Sequence, residues 1–299
     1  MIIGGAEGES SVNYQKVQLS AGLYFVGVPL GTARDITLRA LDVLASADML
    51  AAEDTRSLRK LMDIHGLPLA GRRILALHDH SGSKVQNDLL RAVSEGRSVA
   101  YASEAGMPLI ADPGFELARA MIREGLPVTS APGPSAVTTA LALGGLPTDA
   151  FHFAGFLPNA ASARRKALQA LQDVPGTLVF YESPKRLSAM LQDAASLLGA
   201  DRPAAVCREL TKRFEEIRRG PLGQLAEVYA GNPPKGEIVV LVGQSDSETV
   251  REVDIASELR RALAGQSMRD AVDMVAEAHN LPRRKVYQAA LALQKDGET

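Results

Sequence analysis

The chain has 299 residues, 46% of them hydrophobic, with a formal net charge of −2 and a single cysteine. That length and apolar content allow two domains with substantial cores. The near-neutral charge excludes a global positive field for nucleic acid, and one cysteine excludes an intramolecular disulfide framework or a four-cysteine zinc site.

Residues 1–20 are polar and aperiodic and are expected to form a flexible tail. They lack the charged start and apolar run of a signal peptide. From Leu23 onward short apolar runs alternate with longer amphipathic ones. The strand-like runs are "LYFVGVP" (23–29), "DMLAAE" (48–53), "RILAL" (73–77), "SVAYAS" (98–103) and "PVTSA" (127–131). Helix-like segments lie between them at 34–46, 55–64, 83–95 and 114–124. This alternation predicts a mainly parallel sheet covered on both faces, in a first domain over 21–133.

Gly and Pro break the pattern at "GGLPTDAF" (144–151). A second domain, over 134–245, holds strand candidates "FHFAGFL" (151–157), "TLVFYES" (177–183), "AAVCREL" (204–210) and "GEIVVLVG" (236–243). Its helical patterns cover 163–172, 185–198 and 222–230. "GQSDSETVREVD" (243–254) reads as a linker within a C-terminal segment, 246–299, that is otherwise helical. There the spacing predicts one helix over 268–279, a turn at "HNLP" and a second helix from Pro282. No apolar run reaches the roughly 18–20 residues of a membrane span. The fold class expected is α/β, with two α/β domains and a small helical module, in a cytoplasmic protein with no membrane partner.

Three loops share a character. "GVPLGTARDIT" (27–37), "SEAGMPLIADPG" (103–114) and "APGPSAVTTAL" (131–141) each follow a strand candidate and are rich in Gly and Pro. In an open parallel sheet such loops converge on a crevice beyond the strands' carboxyl ends, where ligands bind. "GVPLGT" lacks the third glycine of a dinucleotide fingerprint and the lysine of a P-loop, so a phosphate cradle is poorly supported. Glu104, an acid set among small residues at the start of the second loop, asks for a ligand.

"AEDTR" (52–56), "ALHDH" (76–80), "SEAGMPLIADPG", "PGPSAVTTAL", "GFLP", "FYESP" (180–184), "RELTKRFEEIRRG" and "KGEIVVLV" occur in an order that resembles the tetrapyrrole methylase superfamily. Within it, the set is similar to the branch that 2′-O-methylates a cytidine of 16S rRNA in the small ribosomal subunit. The resemblance runs from Leu23 to Val242. It implies S-adenosylmethionine in a cleft between the two α/β domains, a 16S rRNA or 30S subunit as partner, and a homodimer. Carried over by position, it puts Pro29, Glu104, Ala105, Gly106, Met107, Ser135, Ala136 and Tyr181 at the cofactor, and Glu182 on the same pocket. Relatives typically show "SDAGTPLI", so Glu104 and Met107 depart from the pattern.

A ribose hydroxyl is a poor nucleophile, and a general base could add roughly 10²–10⁴-fold. Glu182, Asp54 and His78 are the candidates, with Glu53 beside them. Glu182 reads equally as a strand-end carboxylate before a helix, and Asp54 as a helix N-cap. "HDH" could touch RNA or hold its own loop; two histidines at i, i+2 are weak evidence for a metal, and none is expected. Arg56 suits a phosphate. Arg208, Lys212 and Arg213, with Arg218 and Arg219, either track an RNA backbone or form a solvated charged surface. Arg283, Arg284 and Lys285 open the last helix of a helix-turn-helix-like pair, which binds nucleic acid or serves as a packing element. A tetrapyrrole methylase, a non-catalytic ribosome-assembly factor and a nucleoid-binding regulator are the competing readings.

Overall fold

The computed structural model describes residues 13–78, 83–231, 233–244, 256–278 and 283–296. They divide into two compact units, Met1–Gly243 and Gln244–Thr299. In the first unit β1 (Gly22–Val26), β2 (Met49–Ala52), β3 (Ile74–Ala76), β4 (Ser98–Ala102) and β5 (Val128–Ala131) form a parallel sheet in the order β3-β2-β4-β1-β5. All five residues of β4 are buried, because both faces are covered. Leu41, Leu44, Leu58 and Met62 of α1 (Leu38–Ser46) and α2 (Thr55–Ile64) pack on one face. Leu89, Val93, Leu117 and Met121 of α3 (Ser83–Ser94) and α4 (Phe115–Arg123) pack on the other. Each such buried side chain contributes about 1.5–3 kcal/mol.

A second sheet has the order β6-β7-β10-β8-β9. Its strands are β6 (Phe151–Phe156), β7 (Thr177–Glu182), β8 (Pro203–Arg208), β9 (Glu216–Pro221) and β10 (Ile238–Val242). Only β6 and β7 are parallel; β10 runs antiparallel to both β7 and β8, and β9 antiparallel to β8. α5 (Ala136–Gly144) covers one face through Val137, Ala140 and Leu141. α6 (Ala161–Ala170), α7 (Leu187–Leu198) and α8 (Leu222–Val228) cover the other.

Three expectations change. The segment 34–46 begins its α-helix only at Leu38, after a 3₁₀ turn at Ala33–Asp35; Thr37 caps α1, its hydroxyl accepting the Ala40 N–H at 3.1 Å. "APGPSAVTTAL" is not a loop throughout, since α5 starts at Ala136. Residues 13–20 are not a free tail: the N–H groups of Gln15 and Val17 donate to Asp42 and Ser46 of α1 at 2.6 and 2.9 Å, and Tyr14 and Leu19 pack on the first core. Residues 1–12, and the linker from 245 to 254, lie outside the described residues.

The second unit has its own core. Leu259 of α9 (residues 256–263), Val272 and Val275 of α10 (Met268–Ala278), and Val286 and Ala290 of α11 (Arg283–Asp296) are buried together. Ser267 caps α10, accepting the Asp270 N–H at 3.2 Å. The expected turn at 279–282 lies outside the described residues.

Candidate functional site

The three loops are bonded into one wall. Val28 N–H donates to the Gly106 carbonyl at 2.9 Å, and Gly106 N–H returns a bond to the Val28 carbonyl at 3.0 Å. Gly27 and Gly133 pass so closely that a Cβ on Gly27 would lie 2.6 Å from the Gly133 nitrogen. Gly133 N–H in turn donates to Met107 Sδ at 3.2 Å. The thioether thus fills the space between the loops and supplies an acceptor there.

This wall closes one side of a cavity of ≈ 340 Å³. Leu30, Glu53, Glu104–Met107, Ile110 and Asp112 line it from the first sheet's loops. Ser135, Ala136, Phe156, Tyr181–Pro184, Cys207, Leu210 and Gly236–Val239 line it from the second half. Five acidic residues line it, Glu53, Glu104, Asp112, Glu182 and Glu237; among the described residues lining it there is no Lys, Arg or His. These acids are spread around the wall. Among the described residues, no three His, Cys, Asp or Glu side chains converge to hold a metal ion.

Each acid has its own setting. Glu53 Oε2 accepts the Glu104 N–H at 3.1 Å, so Glu53 fixes the loop while the Glu104 residue is exposed. Glu182 has a fully buried side chain; Oε1 accepts the Ser183 N–H at 2.8 Å and lies 3.2 Å from Arg186 Nε in an ion pair that lacks hydrogen-bond geometry. Its Oε2 is buried without a hydrogen-bond partner. Burial pushes the Glu182 pKa up, against the lowering by the Ser183 N–H and the charges of Arg186 and Arg164. Tyr181 stands edge-on to Phe153 and Phe156, with ring centroids 4.9 and 5.6 Å away. Burial first, then the charges of Asp112 and Glu237, push its phenol up to about 12.

The rim stores backbone strain. Leu109 and Ala111 in one loop, and Glu209 and Thr211 in another, have φ of 73°, 62°, 50° and 62°. The second loop is held by Lys212, whose ammonium lies 3.1 Å from Glu209 and 2.9 Å from Glu237. Thr32 N–H donates to Thr211 Oγ1 at 3.4 Å, joining this loop to the one after β1.

The cavity therefore gathers Glu104, Ala105, Gly106, Met107, Ser135, Ala136, Tyr181 and Glu182. Pro29 falls one residue short of it, at the neighbour of Leu30. Asp54 is outside and caps α2, Oδ1 accepting the Arg56 and Ser57 N–H groups at 2.7 and 3.2 Å; those bonds lower its pKa. His78 is exposed after β3 and outside the lining; Asp79 and His80 lie outside the described residues. Arg56 is on α2, its side chain 93% exposed. The basic stretch is largely neutralised from within. Arg208 pairs with Glu216 at 3.0 Å, Lys212 with two carboxylates, and Arg213 stacks over Phe214. In the second unit Arg283 pairs with Asp273, Arg284 is exposed, and the Lys285 side chain lies outside the described residues. Asp112 and Glu237 also line the cavity. Neither stands at a strand's carboxyl end, the position at which a parallel sheet signals a ligand crevice in the sequence.

A model of "Tetrapyrrole (Corrin/Porphyrin) Methylases" matches residues 22–226. The chain belongs to the tetrapyrrole methylase family. A second model, of the "RsmI C-terminal HTH domain", matches residues 250–294. The family member named "Ribosomal RNA small subunit methyltransferase I" from Mesorhizobium japonicum is 44% identical over 277 residues, covering 92% of this chain and 93% of its own. The protein of the same name from Escherichia coli is 39% identical over 288 residues, with 94% and 99% covered. Among solved tetrapyrrole methylases, the fold is shared with the uroporphyrin-III C-methyltransferase of Thermus thermophilus, solved as its S-adenosylhomocysteine complex. It is 21% identical, with a TM-score of 0.52, and 74% of this chain and 96% of that one are covered.

Proposed function

We infer that this tetrapyrrole methylase is an S-adenosylmethionine-dependent methyltransferase of small-subunit ribosomal RNA, and we propose that its acceptor is the ribose 2′-oxygen of a cytidine. The observation that carries the reading is a lining that includes Glu53, Glu104 and Asp112, together with Glu182 and Glu237 that are ion-paired to Arg186 and Lys212, and no Lys, Arg or His among the described lining residues. Such a wall attracts a cationic ligand and repels an anionic one. S-adenosylmethionine, with its sulfonium and ammonium, fits that charge. A uroporphyrin-type macrocycle, ringed by carboxylates, does not. A ribose is neutral and can enter while its phosphates stay outside.

The bound cofactor would supply a methyl group on a sulfonium, open to direct displacement. Glu104, Ala105, Gly106, Met107, Ser135, Ala136 and Tyr181 would hold it, with Leu30 in place of Pro29. At a pKa of about 12 the Tyr181 phenol stays protonated and acts as a donor, not a base. Glu182 is sealed from solvent and tied to Ser183 and Arg186, so we give it a positioning role at the head of the segment leading into α7. Asp54 and His78 receive no proton-transfer step. Asp112 and Glu237, which both bear electrostatically on Tyr181, are the carboxylates we propose to take the hydroxyl proton. The remaining rate enhancement rests on orientation. Arg284 of the C-terminal unit is our candidate for capturing RNA.

The test is transfer of labelled methyl to 30S subunits from cells lacking this protein, beside naked 16S rRNA and a porphyrinogen. Label mapped to a cytidine ribose is expected. Label in the porphyrinogen alone would refute the RNA reading and keep the cavity. In the same assay Asp112→Asn or Glu237→Gln should lower turnover by roughly 10²–10⁴ for the residue acting as base; two unaffected variants would remove the base. Arg284→Ala should raise the KM for subunits.

We also propose a homodimer in the cytoplasm. Phe115 and Ile122, seven residues apart on α4, are 62% and 65% exposed and give an apolar stripe for self-association. A monomer mass in solution at micromolar concentration would refute it. Among the described residues no helix is long and apolar enough to cross a membrane. Finally, we propose the domain division 21–133, 134–245 and 246–299, supported by α5 packing under the second sheet.

A further inference from the structure

An acid-lined cavity cannot hold the phosphates of the strand whose ribose it receives, so those phosphates need a cationic surface beside its mouth. The stretch 207–219 is a poor source. Arg208, Lys212 and Arg218 are each paired with carboxylates, and Arg219 donates to the Leu143 carbonyl at 3.1 Å. A different surface starts two residues beyond the cavity wall. Glu53 lines the cavity, Asp54 caps α2, and Thr55 opens a shallow groove along that helix.

Arg56, Arg59 and Lys60 line this groove together with Asp63, Ile64 and the half-buried Leu69 and Ile74. Arg56 lies 3.7 Å from Asp54, but its side chain is 93% exposed. An ion pair so fully in water is worth little, which leaves the guanidinium ready for a stronger partner. Arg59 bonds Asp63 at 3.1 Å, also in solvent. Lys60 is exposed. At the far end of α2, His65 Nε2 lies 2.9 Å from the Ala33 carbonyl, setting the exposed Arg34 beside the helix's last turn. Cations thus follow α2 from the cavity mouth toward its other end.

We propose that this α2 groove is the phosphodiester track of the RNA substrate, with Arg56 and Lys60 contacting the phosphates on one side of the ribose presented to the cavity. This rests on the rRNA reading above. Arg is suited to bidentate phosphate contact and Lys to point-charge contact. Sugars of a single strand would lie against Ile64, Leu69 and Ile74.

The test is the Arg56→Ala/Lys60→Ala double variant of the full chain, measured for binding and methylation of a 16S rRNA fragment across 50–400 mM salt, with cofactor binding read by calorimetry. On single strands each phosphate contact contributes about 0.7 to the slope of log K against log salt. The slope should therefore fall by about 1.4, and binding at about 0.1 M salt should weaken on the order of 25-fold. Cofactor affinity should not change. An unchanged slope and KM, with wild type methylating RNA normally, would overturn the track. A defect on 30S subunits but not on naked RNA would also overturn it, assigning the groove to a ribosomal protein. Failure of wild type to methylate RNA at all would instead overturn the underlying reading. Charge-retaining Arg56→Lys/Lys60→Arg should restore the slope, which separates charge from a folding defect.

Discussion

Gly27→Ala is expected to abolish cofactor binding while leaving both sheets folded. A Cβ there would meet the Gly133 nitrogen at 2.6 Å, the Gly133 Cα at 2.7 Å and Met107 Sδ at 2.7 Å. Two of those atoms are backbone and cannot swing aside, so the loops after β1 and β5 must separate. Overpacking of this kind costs about 1–3 kcal/mol of stability. The functional loss is larger, because the cavity wall is built on this approach. A shift of about 1 Å in such a wall can cost roughly 10²-fold in rate. Gly265→Ala, where nothing lies within 4 Å of the new methyl, should be neutral in the same measurements. Calorimetric binding of cofactor to Gly27→Ala at the wild-type Kd would show that the crossing of these loops does not shape the site.

Arg186→Ala should destabilise the first unit by about 2–3 kcal/mol at neutral pH. Removing one partner of a buried ion pair costs about 3–5 kcal/mol, and the value is discounted because the Arg186 side chain is 25% exposed. Part of the loss is independent of pH, since Arg186 also donates to the carbonyls of Leu157 and Pro158. The rest comes from Glu182, whose pKa already stands above its ordinary value of 4.5. A carboxyl with a raised folded-state pKa favours the fold below its unfolded value, and that stability is lost as pH rises through the folded one. Without Arg186 the folded value moves higher and the loss deepens. The Tm deficit of the variant should therefore widen from pH 4 to pH 8. A deficit constant across that range would show that Glu182 is not its charged partner.

Much of this was legible in the chain. The strand runs at 23–29, 48–53 and 98–103 are apolar enough, and short enough, to read as buried parallel strands, and the loops that follow them line the cavity. α5 is not legible in the sequence, because "PGPSAVTT" opens with two prolines and continues with β-branched residues, a local pattern that reads as loop. Its helix is stabilised by Val137, Ala140 and Leu141 against Val179 and Leu241, partners far away in sequence. The roles of Glu182 and Lys212 were hidden for the same reason. A sequence shows that a carboxylate ends a strand, but not that its side chain is sealed. It shows a lysine among arginines, but not that Glu209 and Glu237 flank it.

The place of β10 in its sheet has a consequence for how the chain is made. The last strand of the first unit lies at the centre of the second sheet, hydrogen-bonded to β7 on one side and β8 on the other. The first sheet can close once the ribosome has delivered Ala131, but the second stays divided into β6-β7 and β8-β9 until Val242 emerges. Through that interval four edges stand open where two will remain, and unpaired strand edges invite association with other chains. A chain stopped just before Ile238 should thus be prone to aggregation and unable to assemble its cavity, whereas one stopped after Gly243 retains every strand of both sheets.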